Sequence, residues 1–296
     1  MRRCLVLVLL AITVVAAACG GDEGGEGNDA EALLKRGFST DVDSGELSVE
    51  MELSVEGVQG ADGPFRLELS GPFRSYGPAE MPDLDMDFTA SGQGVNFDGA
   101  LVLLSENAWV EFAGETYEVG EELWTRARES LNREGAPETF ADAGVDPLRW
   151  VEDAQTGDSK EVSGTEATEV TGELDLTTVL RDFNRLSPDS AAIPRETLDE
   201  IEAAIGPVEF AAWIGEDDIW RRISSDTSFT VPEAERQGAG GLEGGKLSLD
   251  MTLEAPNESV TIESPGAGRP ISDLLRAFGI PPEALLGPGF ELPEPG

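Results

Sequence analysis

The 296-residue chain contains no histidine, and its two cysteines stand at positions 4 and 19, ahead of everything that could fold. The first absence removes the usual general base, the Ser-His-Asp and Cys-His arrangements, and histidine-based metal sites. The second leaves the folded part without a possible disulfide, so its stability has to come from an apolar core. Basic residues are scarce: 20 Lys and Arg face 59 Asp and Glu, a net charge of −39. Nucleic acid is excluded as a partner, because its binding relies on cations that neutralise phosphates. Close docking of the acidic surface on an anionic membrane is disfavoured as well. Aromatic residues make up only 6%, which leaves few platforms for sugars. Paired carboxylates could in principle hydrolyse glycosides, but with 59 acids any such pair is expected by chance. The expectation is a protein that is not an enzyme and needs no cofactor or metal.

Nor is there an apolar run of the roughly 20 residues that a spanning helix prefers. The longest, Cys4 to Ala18, follows the basic start Met1-Arg2-Arg3 and ends in Ala16-Ala17-Ala18 before Cys19-Gly20. A basic n-region, an apolar h-region and a small-residue cleavage site make a secretory signal. Small residues directly before a cysteine resemble the lipobox of bacterial lipoproteins, although Ala16 stands where that pattern usually has Leu. The resemblance implies cleavage after residue 18 and acylation of Cys19. Two or more acyl chains give stable anchoring where one is marginal. An uncleaved anchor and twin-arginine export through Arg2-Arg3 are the alternatives. Residues 19–29 are Gly-rich and acidic and cannot pack, so they read as a flexible tether.

What is abundant is alternation. In Glu46 to Glu56 the odd positions are Leu47, Val49, Met51, Leu53 and Val55, and the even positions are Glu or Ser. A period of two predicts a strand with one buried and one wet face, and it would scatter the same residues around a helix. The pattern returns at Phe65 to Ser70, Asp83 to Ser91, Val95 to Leu104, Ala108 to Phe112 and Thr116 to Val119. Helices are predicted at Ala30 to Phe38, at Glu121 to Glu134, and at Leu148 to Ala154 behind Asp146-Pro147. After a hairpin of Lys160 to Val162 with Thr165 to Gly172, helices follow Asp175 and span Pro194 to Ile205, the latter ended by Gly206-Pro207. Strands resume at Val208 to Ile214, Ile219 to Val231, Lys246 to Glu254 and Ser259 to Glu263. Ser272 is positioned to cap a short helix.

Strands, helices and strands again give an α+β class: a curved antiparallel sheet with helices packed on its apolar concave face. One domain is expected over residues 30–278, followed by a Pro/Gly-rich tail at 279–296. Nine strands present roughly 1,100 Å², and three or four helices cover on the order of 540–720 Å². The difference permits a cavity, although curling of the sheet or a filled core would also close it.

Two phrases sharpen this. Gly164-Thr165-Glu166-Ala167-Thr168-Glu169-Val170-Thr171-Gly172-Glu173-Leu174-Asp175 precedes an amphipathic helix. Phe210-Ala211-Ala212-Trp213-Ile214-Gly215 is followed by Trp220-Arg221-Arg222-Ile223. Together with the tethered cysteine and the order of elements, they resemble the LppX/LprAFG family of actinobacterial lipoproteins, which has a LolA-like half-barrel fold. That resemblance implies an acylated lipid or glycolipid held between sheet and helices, at the extracytoplasmic face of the cell membrane, in lipid transport with an envelope transport partner. The candidate lining is Val49, Met51, Leu53, Leu67, Met86, Phe88, Phe97, Phe210, Leu249 and Met251, each of which could equally be ordinary core. Methionines would help such a lining adapt to varied chains. A protein-interaction module with a filled core is the rival reading. Asp83-Leu84-Asp85-Met86-Asp87 resembles the start of a calcium loop, but Phe88 stands where such a loop needs Gly, and the acids alternate on one face of a strand.

Overall fold

The computed structural model describes residues 29–58, 63–76, 81–131, 145–186, 198, 204–238 and 240–280. The signal sequence, Cys19, the tether and the tail beyond residue 280 lie outside the described residues, as does most of the helix expected at Pro194 to Ile205. In chain order the elements are α1 (Asp29–Ser39), β1 (Ser44–Glu56), β2 (Phe65–Arg74), β3 (Asp83–Gly92), β4 (Val95–Leu103), β5 (Ala108–Phe112) and β6 (Glu115–Glu118). Then come α2 (Glu121–Leu131), a 3-10 turn (Pro147–Trp150), β7 (Val151–Val162), β8 (Thr165–Leu174), α3 (Leu176–Leu186) and β9 (Ile205–Gly215). The chain continues through β10 (Trp220–Thr230), α4 (Glu233–Arg236), β11 (Gly244–Glu254), β12 (Arg269–Pro270) and α5 (Ile271–Ala277).

All twelve strands join one curved, unclosed sheet in the order β12-β6-β5-β4-β3-β2-β1-β11-β10-β9-β8-β7. The chain enters mid-sheet with β1 and walks outward to β6. It then crosses to the opposite edge at β7 and walks back to β11. There β11 closes against β1, with Val49 opposite Met251 and Met51 opposite Leu249. Every pairing is antiparallel except the short one of β12 with β6. The strict alternation of β1 and β11 fixes this central seam, because a slip by one residue would turn every apolar side chain to the wet side.

The main core lies on the apolar face of β7 to β11 and β1, under α1. Ala30 and Leu34 of the helix join Val170, Phe210, Ala212, Ile214, Met251 and Leu253 of the sheet. Gly37 lets the helix come close: a Cβ there would sit 2.8 Å from Ile214 Cδ1. Arg36 Nε donates to Asp218 at 2.8 Å and pins the C-terminal end of α1 to the β9–β10 turn. At the other end, Leu33 and Leu148 of the 3-10 turn pack on the same core. Trp150 Nε1 donates to Asp182 of α3 at 2.9 Å, and Trp124 Nε1 of α2 donates to Leu104 O at 2.7 Å.

Several expectations need correction. The area comparison counts nine strands, and the sheet has twelve. Asp146 caps as expected, its Oδ1 accepting from Leu148 N at 3.1 Å, but only one 3-10 turn follows. Residues 151–154 open β7, a strand far longer than the Lys160 to Val162 segment. Ala204 is helical and Ile205 opens β9, so the chain leaves the helix just ahead of Gly206 and Pro207. They sit at a register shift inside β9, where a bulge tolerates the missing proline N–H. Ser259 to Glu263 is not a strand: Val260 and Ile262 strap across Val102 and Trp109 by side-chain packing. Helix α5 begins after Pro270 without a side-chain cap, and Ser272 Oγ instead accepts from Arg276 at 3.1 Å.

Candidate functional site: the apolar face

Directly paired residues of an antiparallel sheet project from the same face, so the register assembles the candidate lining row by row. One row runs Phe97, Ala90, Leu67, Met51, Leu249, Ser225, Phe210 from β4 to β9. The next runs Phe112, Gly99, Phe88, Leu69, Val49, Met251, Ile223, Ala212 from β5 to β9. Leu53 stands between Phe65 and Leu247, and Met86 opposes Leu101. All ten candidates thus share one face of one sheet.

Their surroundings differ along that face. Val49, Phe210 and Met251 are part of the core beneath α1, and Leu249 packs at its margin. Met51 and Met86 are buried, whereas Leu53, Leu67 and Phe88 are half-buried. Phe97 is 45% exposed and lies at the rim rather than inside. The principal contacts of α1 are with β7, β8, β9 and the 3-10 turn, and those of α5 are with β6 and β12. The middle of the face, β1 to β4, lies between these two packed regions.

The opposite face is polar over β1, β2, β10 and β11, while at β4 and β5 it holds Val102 and Trp109 under Ile262. Glu50, Glu52, Glu68, Asp226 and Asp250 line it with Arg66 and Arg222, around a cleft of about 450 Å³. Arg66 Nε meets Glu52 at 2.7 Å, and Arg222 Nη2 meets Asp250 at 2.5 Å. A cleft of about 680 Å³ opens at the end of the strands around Thr165, Asp217, Arg221 and Glu254. A third, of about 430 Å³, is lined mainly by polar residues of β7 to β10. None of these three is an apolar chamber. Asp83, Asp85 and Asp87 project away from Met86 and Phe88, as alternation requires. Asp83 is buried and accepts from Arg74 Nη2 at 2.7 Å, Tyr76 OH at 2.5 Å and Ser105 N at 3.1 Å. Burial, and then the charges of Asp87 and Glu111, push the Asp85 carboxyl above the usual range.

Two solved structures are similar to this chain. The crystal structure of the Mycobacterium tuberculosis lipoprotein LppX is 14% identical, over 80% of this chain and 100% of that one, with a TM-score of 0.42. The structure of LprF from Mycobacterium bovis is 12% identical, over 82% of this chain and 100% of that one, also with a TM-score of 0.42. Both bear names of the family that the sequence phrases resemble. No protein-family model and no curated protein sequence matches the chain. A likeness at this level says nothing about cargo.

The structure adds apolar residues that sequence reasoning did not single out. Val95 continues the face beyond Phe97, and Phe112 lies against both Phe97 and Phe278, with ring centroids 6.1 and 5.3 Å apart. Phe112 could have been placed by counting two residues on from Val110. Phe278 fits the short helix's spacing with Leu274 and Leu275, but that period does not show that it lies just past the last turn and stands exposed at the rim. Among the described residues no helix is long and apolar enough to cross a membrane.

Proposed function

We propose that this chain is a membrane-anchored extracytoplasmic lipoprotein that binds acylated lipid or glycolipid on the apolar face of its sheet, as a carrier or scaffold in lipid transport. The observation that supports this best is the row Phe97, Ala90, Leu67, Met51, Leu249. It presents one continuous apolar stripe across β4 to β11, with Leu67 and Leu249 only half-buried. The charged residues of the same strands face the other way, so a hydrocarbon chain meets no ionised group along the stripe. An apolar surface of this kind on a monomer marks a binding site more often than not. Residues 1–18 direct export, Cys19 carries the acyl chains, and the segment to residue 29 holds the folded part beside the bilayer at a reach of roughly 16–19 Å.

Native mass spectrometry of the chain purified without residues 1–19 tests the reading, together with uptake of a fluorescent fatty-acyl probe. Protein that carries no lipid and takes up no probe would end it. The polar lining of the three clefts favours a second reading, an interaction module that engages a protein at the cell surface. Crosslinking in cells separates the two, since only this module requires a stoichiometric protein partner. Both readings expect Cys19→Ala to release the chain from membrane fractions.

A further inference from the structure

The apolar stripe does not stop at Phe97. Val95 is 49% exposed, Phe278 54% and Ile280 42%; the rings of Phe97, Phe112 and Phe278 form a patch at the rim of the sheet, with Val95 and Ile280 two residues along the chain from Phe97 and Phe278. Phe278 is brought there because α5 runs back from β12 along β6, where Ile271 and Leu275 pack on Tyr117 and Leu274 packs beside Phe112. Ile280 is fixed by its N–H, which donates to Leu275 O at 2.8 Å.

Three observations say what this rim meets. The first is its place at one end of the strands. Phe112 closes β5, and Val95 opens β4, at the end of the sheet where β7 also begins. The C-terminal end of α1 is pinned at the opposite end of the strands by Arg36 and Asp218, and the helix also packs on the 3-10 turn that leads into β7. The N-terminal end of α1 therefore points toward the end of the sheet that carries the rim. The second is charge. In a chain of net charge −39 the groups beside Phe278 cancel: Arg269 pairs with Glu115 at 2.5 Å and with Asp273 at 3.2 Å, and Arg276 pairs with Asp273 at 2.7 Å. Around Phe278 the local charge is balanced, which lowers there the repulsion that keeps an acidic surface off a membrane. The third is local concentration, since a short tether makes docking intramolecular, and a contact too weak to hold a free chain is then sufficient.

We propose that the rim of Val95, Phe97, Phe112, Phe278 and Ile280 docks on the surface of the lipid bilayer that holds the anchor. This rests on the reading of Cys19 as the acylated residue and deepens it, because docking turns the end of the apolar stripe toward the lipid that would enter or leave. The rim is an apolar contact at the headgroup boundary and not a span.

The test uses the acylated protein reconstituted in phosphatidylcholine vesicles, with fluorophores on single cysteines at Phe97→Cys, Ile280→Cys and, as a polar-face control, Glu68→Cys. No other reactive thiol interferes, because Cys19 is acylated and no cysteine follows it. Labels at 97 and 280 are expected to be quenched by nitroxides on the lipid acyl chains and shielded from aqueous iodide, with the reverse at 68. Iodide quenching at 97 and 280 equal to that at 68 would overturn the proposal. Shielding from both quenchers would overturn it too, since a second copy or residues 281–296 would then cover the rim. Mass spectrometry of Cys19 and of co-purified lipid keeps the failures apart. A chain without acyl groups on Cys19 removes the anchor and the docking together. An anchored, lipid-loaded chain with water-exposed labels loses only the docking.

Discussion

Leu67 and Leu249 flank Met51 in the central row, one on each neighbouring strand, and both are half-buried. Truncating both to alanine separates a cargo surface from a filled core. Leu→Ala deletes three carbons, and a buried CH₂ is worth about 0.8 kcal/mol. If cargo covers about half of each side chain, each truncation removes about 1 kcal/mol of tail binding. The pair then weakens an acyl probe by about 2 kcal/mol, or about 30-fold in Kd. The stability lost should be roughly half of what full core truncations cost, about 1–2 kcal/mol at each position. Phe210 supplies the contrast: it shares the face but is only 6% exposed beneath α1. Phe210→Ala should therefore cost about 3–5 kcal/mol of stability. Titration of a fluorescent fatty-acyl probe and urea unfolding of the same three proteins read both quantities. Unchanged probe affinity in the Leu67→Ala/Leu249→Ala chain, with a stability loss as large as that of two fully buried leucines, would refute the reasoning and leave a solid core.

Three further outcomes follow from single positions. Gly37→Ala should destabilise although alanine favours a helix, because its Cβ would meet Ile214 at 2.8 Å; overpacking of this kind costs about 1–3 kcal/mol, and adding Ile214→Val should recover part of it in thermal unfolding. Asp175→Ala removes a cap whose carboxylate accepts from Thr178 N at 3.0 Å and should cost about 1 kcal/mol. Burial pushes the Asp175 carboxyl up, but the hydrogen bonds from Thr178 outweigh it and hold the group below the usual range. The wild-type advantage should be full above the unfolded carboxylate value of about 3.9 and vanish as pH falls through the lower folded value. Asp85 works in the opposite sense: with its folded pKa raised by burial, and by Asp87 and Glu111, the ionised group costs stability at neutral pH. Asp85→Asn should thus raise the Tm near pH 7, and the difference should fade as pH drops below the unfolded carboxylate range, which differential scanning calorimetry across pH would check.

Strands were legible where one face is buried and one is wet. In β1 and β11 the code is unbroken, and the structure pairs them residue for residue. Strand β7 hid itself because almost every residue of it is exposed. It is an edge, with shifts between Glu152 and Gln155 and between Thr156 and Ser159, so no period of two survives in its sequence. Such bulges suit an edge that must not recruit another strand. Gly206-Pro207, which reads as a helix stop, does follow helical Ala204 and also serves the bulge in β9. The cap at Asp146 is legible in the sequence and the length of what it opens is not, because a cap reports where a turn begins and nothing about how long it lasts. For the candidate site, alternation assigned all ten residues to one face. It could not say that Val49, Phe210 and Met251 would lie under α1 while Phe97 stands at the rim, since distance along a strand and distance from a packed helix leave no mark on the period.

The topology explains why one half of the face is packed under α1 and the other is not. Because the chain starts mid-sheet and returns there, β1 to β6 form one half and β7 to β11 the other, joined through the eleven register pairs of β1 with β11. Helix α1 precedes β1 in sequence yet lies over β7, β8 and β9, so it clamps the outer strands of the later half onto the core they share with Val49 of β1. That half needs the clamp: β7 is an exposed edge, and its partner β8 is held to the molecule through β9 alone on the other side. The earlier half gains its order from long unbroken pairings, β1 with β2 and β3 with β4, whose registers need no helix above them. Its apolar side chains can then serve a hydrocarbon chain without removing anything the fold depends on. Substitutions that harm folding should accordingly concentrate among α1, β9 and β10, and those that harm lipid uptake between β4 and β1, along the stripe that ends at Phe97.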